Sequence, residues 1–187
     1  KRYSEAKQLI KEGIGIAKKK DQPGTVHEYK KILLQIAELE KDMVAFRTVA
    51  RELYEKGRNM EYYKIIKGTY KKKEWPSIAE EFIKEIQSQH RPVAGIRFND
   101  DTRLADIFVE EQYWDRLLQL IQGSTTLHFI DSYSSWLTSK FPGEILQVYS
   151  KALIEYASQN TGRNHYITIR ERLRKMQTWD GGREMVK

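Results

Sequence analysis

Apolar residues recur along this chain at intervals of three and four, not two. Phe46, Val49, Ala50 and Leu53 follow an i, i+3, i+4, i+7 spacing, as do Trp114, Leu117, Leu118 and Ile121. Ile145, Val148, Tyr149 and Ala152 supply another such stripe. Each reads as one face of an amphipathic helix, because 3.6 residues per turn bring these positions into line. Pro23, Pro76, Pro92 and Pro142, with Gly24, Gly57, Gly123, Gly143 and Gly162, punctuate the stripes. The pattern predicts about ten helices, at 3–20, 25–40, 42–56, 59–72, 76–89, 101–111, 113–122, 125–139, 143–159 and 164–177. Strand alternation is scarce, and the best run, Pro92 to Phe98, is interrupted by Gly95 and reads as a loop. The expected fold is all-α, an irregular α-solenoid of stacked antiparallel helical hairpins forming a single domain over residues 1–187.

Short helices with one apolar stripe cannot bury it alone and commonly stack as repeats. Ile36, Ala37 and Leu39, followed by Phe46, Val49, Ala50 and Leu53, recur without a gap as Leu104, Ala105 and Ile107, then Trp114, Leu117, Leu118 and Ile121. A weaker copy has Ile65 and Ile66 followed by Trp75, Ile78, Ala79 and Phe82, with Gly68 replacing an aliphatic residue. On this template Phe46, Trp75 and Trp114 occupy matching positions, where a bulky ring fills space between hairpins. The last helix would bury Tyr166, Ile169, Leu173 and Met176, with Asn164 as N-cap and Glu171 paired to Lys175. Arg170, Arg174 and Lys175 would then point outward.

The stretches "ILLQIAELEKDMVAFRTVARELYEKG" (Ile32 to Gly57) and "LADIFVEEQYWDRLLQLI" (Leu104 to Ile121) resemble tetratricopeptide-type hairpins. "FPGEILQVYSKALIEYASQNTGRNHYITIRERLRKM" (Phe141 to Met176) resembles the helical repeat region that follows the zinc finger in bacterial SWIM zinc finger proteins. This resemblance implies a tetratricopeptide- or HEAT-like adaptor working beside another domain. A SWIM finger needs cysteine ligands and this chain has no Cys, so the zinc site and DNA binding attributed to it do not reside here. No site residue transfers from the family.

Charge biases the choice of partner. Lys and Arg number 33 against 26 Asp and Glu, giving +7 and favouring acidic partners. Most of these charges are interleaved in sign, as solvated helix faces require. The absence of Cys excludes disulfides, thiolate metal sites and cysteine nucleophiles in this chain. No apolar run reaches the length of a membrane span and no signal peptide opens the sequence, so a cytoplasmic location without membrane contact is expected. The start at Lys1 and the helix-like beginning after "WDGG" suggest a piece of a longer protein.

Motifs of chemistry are scarce. His27, His90, His128 and His165 are scattered without metal-ligand spacing. Asn99, Asp100, Asp101 and Asp106 fall near a helix start, where carboxylates complement the unpaired amides. "GIGIAKKK" lacks the spacing of a phosphate loop, and no G-x-S-x-G elbow occurs. No catalytic residue, metal site or cofactor is expected. The strongest binding signal is basic charge among rings: Tyr70, Lys71, Lys72, Lys73 and Trp75, with Arg170, Arg174 and Lys175 on the last helix. Lys71 to Lys73, like Lys18 to Lys20, are expected at a helix C-terminus, where cations complement the dipole.

The expectation is a non-catalytic helical-repeat adaptor or scaffold. Its partner would be an acidic protein or another domain of its own chain. The alternative is nucleic-acid binding through a basic solenoid face.

Overall fold

The computed structural model describes residues 2–88, 98–124 and 126–186, with the backbone alone for 98–100. These residues form eleven α-helices and no strand. In order they are α1 (Tyr3–Lys19), α2 (Pro23–Glu40), α3 (Met43–Gly57), α4 (Met60–Gly68), α5 (Trp75–Ser88), α6 (Phe98–Glu110), α7 (Trp114–Gln122), α8 (Leu127–Leu137), α9 (Pro142–Gln159), α10 (Arg163–Gln177) and the single turn α11 (Gly182–Met185). The all-α expectation therefore holds. The expected loop at Pro92 to Phe98 lies outside the described residues, except that Phe98 already opens α6. Among the described residues no helix is long and apolar enough to cross a membrane.

The chain divides into two compact units, Lys1–Phe82 and Ile83–Lys187, with the division inside α5. In the first unit, α1, α2, α3 and α4 pack in succession. Lys7 Nζ meets Glu40 Oε2 at 2.7 Å, tying the start of α1 to the end of α2 in an antiparallel hairpin. Gly13 permits close approach there, because a Cβ would come within 2.9 Å of the Tyr29 ring. The core is aromatic. Tyr54, Tyr63, Trp75 and Phe82 are buried and meet edge-on or tilted, with the Tyr63 ring edge-on to both Trp75 and Phe82 at 5.3 Å. Such rings add attraction beyond the area they bury.

In the second unit α6 through α10 pack in succession, and α8 and α9 also touch α6 and α7 respectively. Ile107, Leu117, Ile121, Ile130, Leu137, Ile145 and Tyr149 are fully enclosed.

One turn recurs in both units. Asp21, Lys41 and Gln112 take left-handed φ of 51°, 58° and 58° after α1, α2 and α6. In each case the next amide donates back to a carbonyl five residues earlier: Gln22 to Ala17 at 2.9 Å, Asp42 to Ala37 at 2.9 Å and Tyr113 to Phe108 at 2.8 Å. This closure satisfies carbonyls that a helix end leaves open. The following helix begins one residue later, at Pro23, Met43 and Trp114. The next helix entry at Met60 follows another left-handed residue, Arg58, and Asn59 caps it by accepting from the Glu61 amide at 2.9 Å.

These turns correct the hydrophobic template. Trp75 and Trp114 are the first residues of their helices, whereas Phe46 lies one turn inside α3, so the three are not structurally equivalent. Leu39, expected to be buried, is 63% exposed. It lies two residues, about 200°, beyond Ala37 around the helix. Its counterpart Ile107 is enclosed because α7 and α8 both pack against α6. Ile65 is likewise outward.

The α10 stripe is also displaced. Tyr166 is exposed, while His165, Ile169, Arg172, Leu173 and Met176 face inward. The helix starts after Gly162, whose φ is 105°, and Asn164 lies within its first turn instead of capping it.

Candidate functional site: a lysine-lined cavity

A cavity of about 390 Å³ opens in the first unit where the α1–α2 turn meets the end of α3. Each element delivers its part for a local reason. Lys18 is in the last turn of α1, where a cation complements the carbonyl end of the helix dipole. Lys56 holds the same place in α3. Pro23 starts α2, its fixed φ suited to a first helical position. One turn on, His27 and Lys30 lie on the same side of α2 by their i, i+3 spacing. Val26 and Leu53 supply apolar lining.

The charge balance is three ammonium groups to one lining carboxylate, Asp21. Lys30 is the most enclosed of the three, with 13% of its side chain exposed, and its Nζ meets Glu52 Oε2 at 2.5 Å. That pair spans α2 and α3 and fixes the ammonium at the cavity wall. Lys18 and Lys56 are exposed and have no ion pair among the described residues. His27 is half-buried, its ring edge-on to Tyr62 at 6.2 Å. The arrangement offers two cations without an ion pair among the described residues, one carboxylate and an imidazole above an apolar floor, suited to an acidic side chain or terminus next to an aliphatic one. Among the described residues no three His, Asp or Glu side chains converge as a metal site would need.

The residues singled out from sequence lie elsewhere. Tyr70, Lys71, Lys72 and Lys73 occupy the α4–α5 connection, because α4 ends at Gly68, short of the expected 72. Thr69 closes that helix, its Oγ1 donating to Ile66 O at 2.7 Å while accepting from Arg47 Nε at 2.8 Å. A second Arg47 nitrogen donates to the Thr69 carbonyl, and the guanidinium lies 3.8 Å over the Tyr70 ring. Tyr70 is thus held as packing. The three lysines are exposed before α5, at a positive helix end, so dipole complementarity does not explain them. Trp75, 5% exposed, is core and presents no stacking face.

Arg170, Arg174 and Lys175 belong to the other unit. Arg170 and Arg174 are exposed, and Arg174 borders a shallow concavity with Arg183 and Glu184. Lys175 is not an outward cation. Its Nζ donates to Asp131 Oδ1 at 2.5 Å, in place of the expected partner Glu171. Arg172 reaches Asp131 Oδ2 at 3.3 Å and Tyr149 donates its hydroxyl to Oδ1 at 2.8 Å. Burial alone would push the Asp131 carboxyl up, but the hydrogen bonds from Lys175 and Tyr149 and the charges of Lys175 and Arg172 outweigh it and hold it below the usual carboxylate range.

Of the histidines, His165 bonds the Tyr156 hydroxyl at 2.8 Å, His128 is exposed and His90 lies outside the described residues. The Asp100 side chain also lies outside them. Asp106 accepts from the Tyr133 hydroxyl at 2.6 Å, a structural role.

Lys18 is legible from the sequence as a helix-end cation, but its grouping with His27, Lys30 and Lys56 is not. Their association depends on a hairpin register that no spacing rule discloses. Comparison of the chain with protein-family models, with curated proteins and with solved structures finds no match. The likeness to SWIM-associated and tetratricopeptide repeats rests on the residues alone.

Proposed function

We propose that this chain is a non-catalytic helical-repeat module that binds an acidic segment of another protein or of another domain of its own chain. The lysine-lined cavity carries this reading. Its Lys18 and Lys56, beside the anchored Lys30 and the apolar Val26 and Leu53, match a short peptide with alternating carboxylate and aliphatic side chains. Stacked hairpins leave such concavities between successive elements without any catalytic apparatus.

The test is fluorescence anisotropy with a labelled Glu/Leu peptide at two salt concentrations. Lys18→Gln with Lys56→Gln should weaken binding ~10-fold and flatten its salt dependence, since exposed cations act through screened attraction. Unchanged affinity in the double variant removes the cavity as the site.

The second reading is nucleic-acid binding through Lys71, Lys72 and Lys73. It is favoured by their exposure without any ion pair among the described residues, past the last turn of α4, where its dipole acts, and at the start of α5. Charge reversal of all three lysines tests it against duplex and single-stranded probes.

A further inference from the structure

Trp136 is 51% exposed, although the other large apolar residues of α8 turn inward: Leu127, Phe129, Ile130, Tyr133 and Leu137 are buried. Its ring lies within 16° of parallel to that of Trp114, with centroids 6.3 Å apart. Trp114, the first residue of α7, is half-buried and supports the outer ring. Lys140, just after α8, sits with its Nζ 4.9 Å from the Trp114 centroid. It is exposed and has no ion pair among the described residues.

The surroundings say what kind of group this surface accepts. The exposed positions from 128 to 140 are His128, Ser132, Ser135, Trp136, Ser139 and Lys140, without one carboxylate, and beside Trp114 the first turn of α7 exposes one acid, Asp115, and one base, Arg116. The sole acid of the 128–140 segment, Asp131, is turned away into its bonds with Lys175, Arg172 and Tyr149. Serines flanking the indole are too small to cover it. An aliphatic peptide leaves the ammonium unused, and an acidic peptide without rings leaves the flat open indole unused. A neutral planar ring with an anionic group next to it uses both: the ring stacks on the indole and the anion meets the ammonium.

We propose that Trp136, backed by Trp114 and flanked by Lys140, is a stacking platform for a base of single-stranded nucleic acid, with Lys140 contacting the adjoining phosphate. The site is separate from the lysine-lined cavity and does not depend on it. A duplex hides its base faces, so the platform selects single strands.

The test uses the full chain, a fluorescein-labelled oligothymidylate and a duplex of equal length, read by anisotropy and by quenching of tryptophan emission. The expected result is tighter binding of the single strand, with quenching. Trp136→Ala should weaken it ~10-fold or more while Trp136→Tyr, which keeps a ring, retains most of it. Lys140→Gln should weaken it and reduce the salt slope by about one. Lys18→Gln with Lys56→Gln should leave it unchanged, which separates this site from the peptide cavity. The proposal is overturned by equal affinity in Trp136→Ala, by equal binding of the duplex, by thymidine monophosphate binding as tightly as the oligonucleotide, or by no binding at low salt. Preferential capture at Trp136 of an uncharged aromatic peptide would also overturn it.

Discussion

The ammonium of Lys175 lies 2.5 Å from a carboxylate oxygen of Asp131, joining α10 to α8 across 44 positions of sequence. Arg172 and Tyr149 complete the set around the same carboxyl. Removing Asp131 leaves two cations and a hydroxyl without their shared acceptor, whereas removing Lys175 leaves the carboxylate two partners. Asp131→Ala should therefore cost ~2–3 kcal/mol and Lys175→Met ~1 kcal/mol, the latter limited by solvent screening of a part-exposed ammonium. Urea unfolding checks the order. A larger loss in Lys175→Met would contradict this account.

The same carboxyl sets a pH response. Because Asp131 is held low in the folded state, the unfolded chain binds its proton more readily. Its contribution to stability is present above about pH 4 and is lost as pH falls through the folded value. Asp106 behaves oppositely. Burial raises its carboxyl above the usual range, with the Tyr133 hydrogen bond opposing only in part. The folded state then holds the Asp106 proton more tightly, so its contribution declines as pH rises past about 4. Asp106→Asn keeps an oxygen for Tyr133 and should stabilise more at pH 7 than at pH 3. Equal changes at both pH values would rule out this linkage.

Trp75 is expected to respond as core. Trp75→Ala should destabilise by ~3–5 kcal/mol, because the cavity opens among Tyr63, Tyr70 and Phe82. Thermal melts read this directly. A stability change under ~1 kcal/mol would indicate that the ring is not packed as described.

Backbone geometry gives a prediction of opposite sign. Lys41 holds a left-handed φ of 58° in a turn that glycine adopts without a Cβ penalty. Lys41→Gly should therefore stabilise by up to ~1 kcal/mol. By contrast, a Cβ at Gly182 would fall 1.8 Å from the Met176 carbonyl oxygen, and Gly181 before it has a φ of 75°. Gly182→Ala should force α11 off the end of α10, seen as loss of amide protection over residues 176–186. Retained protection would show that the turn can move at little cost.

Helical periodicity by itself determined that the chain is all-α and where most helices begin and end, since a stripe every three or four residues has one repeating geometry that buries it. It misplaced the end of α4, where the Arg47 contact with Thr69 from a neighbouring helix helps close the last turn. It also made Phe46, Trp75 and Trp114 equivalents, because an apolar template cannot distinguish one turn of a helix from the next. Only the tertiary structure decided which side of each stripe is covered, as Leu39 and Tyr166 show by facing solvent. It alone gathered Lys18, His27, Lys30 and Lys56 around one cavity, drew Lys175 to Asp131 and left Trp136 open. The physical reason is the same throughout: periodicity is a property of one helix, whereas burial and charge pairing depend on the register of its neighbours, which the turns and side-chain packing set together.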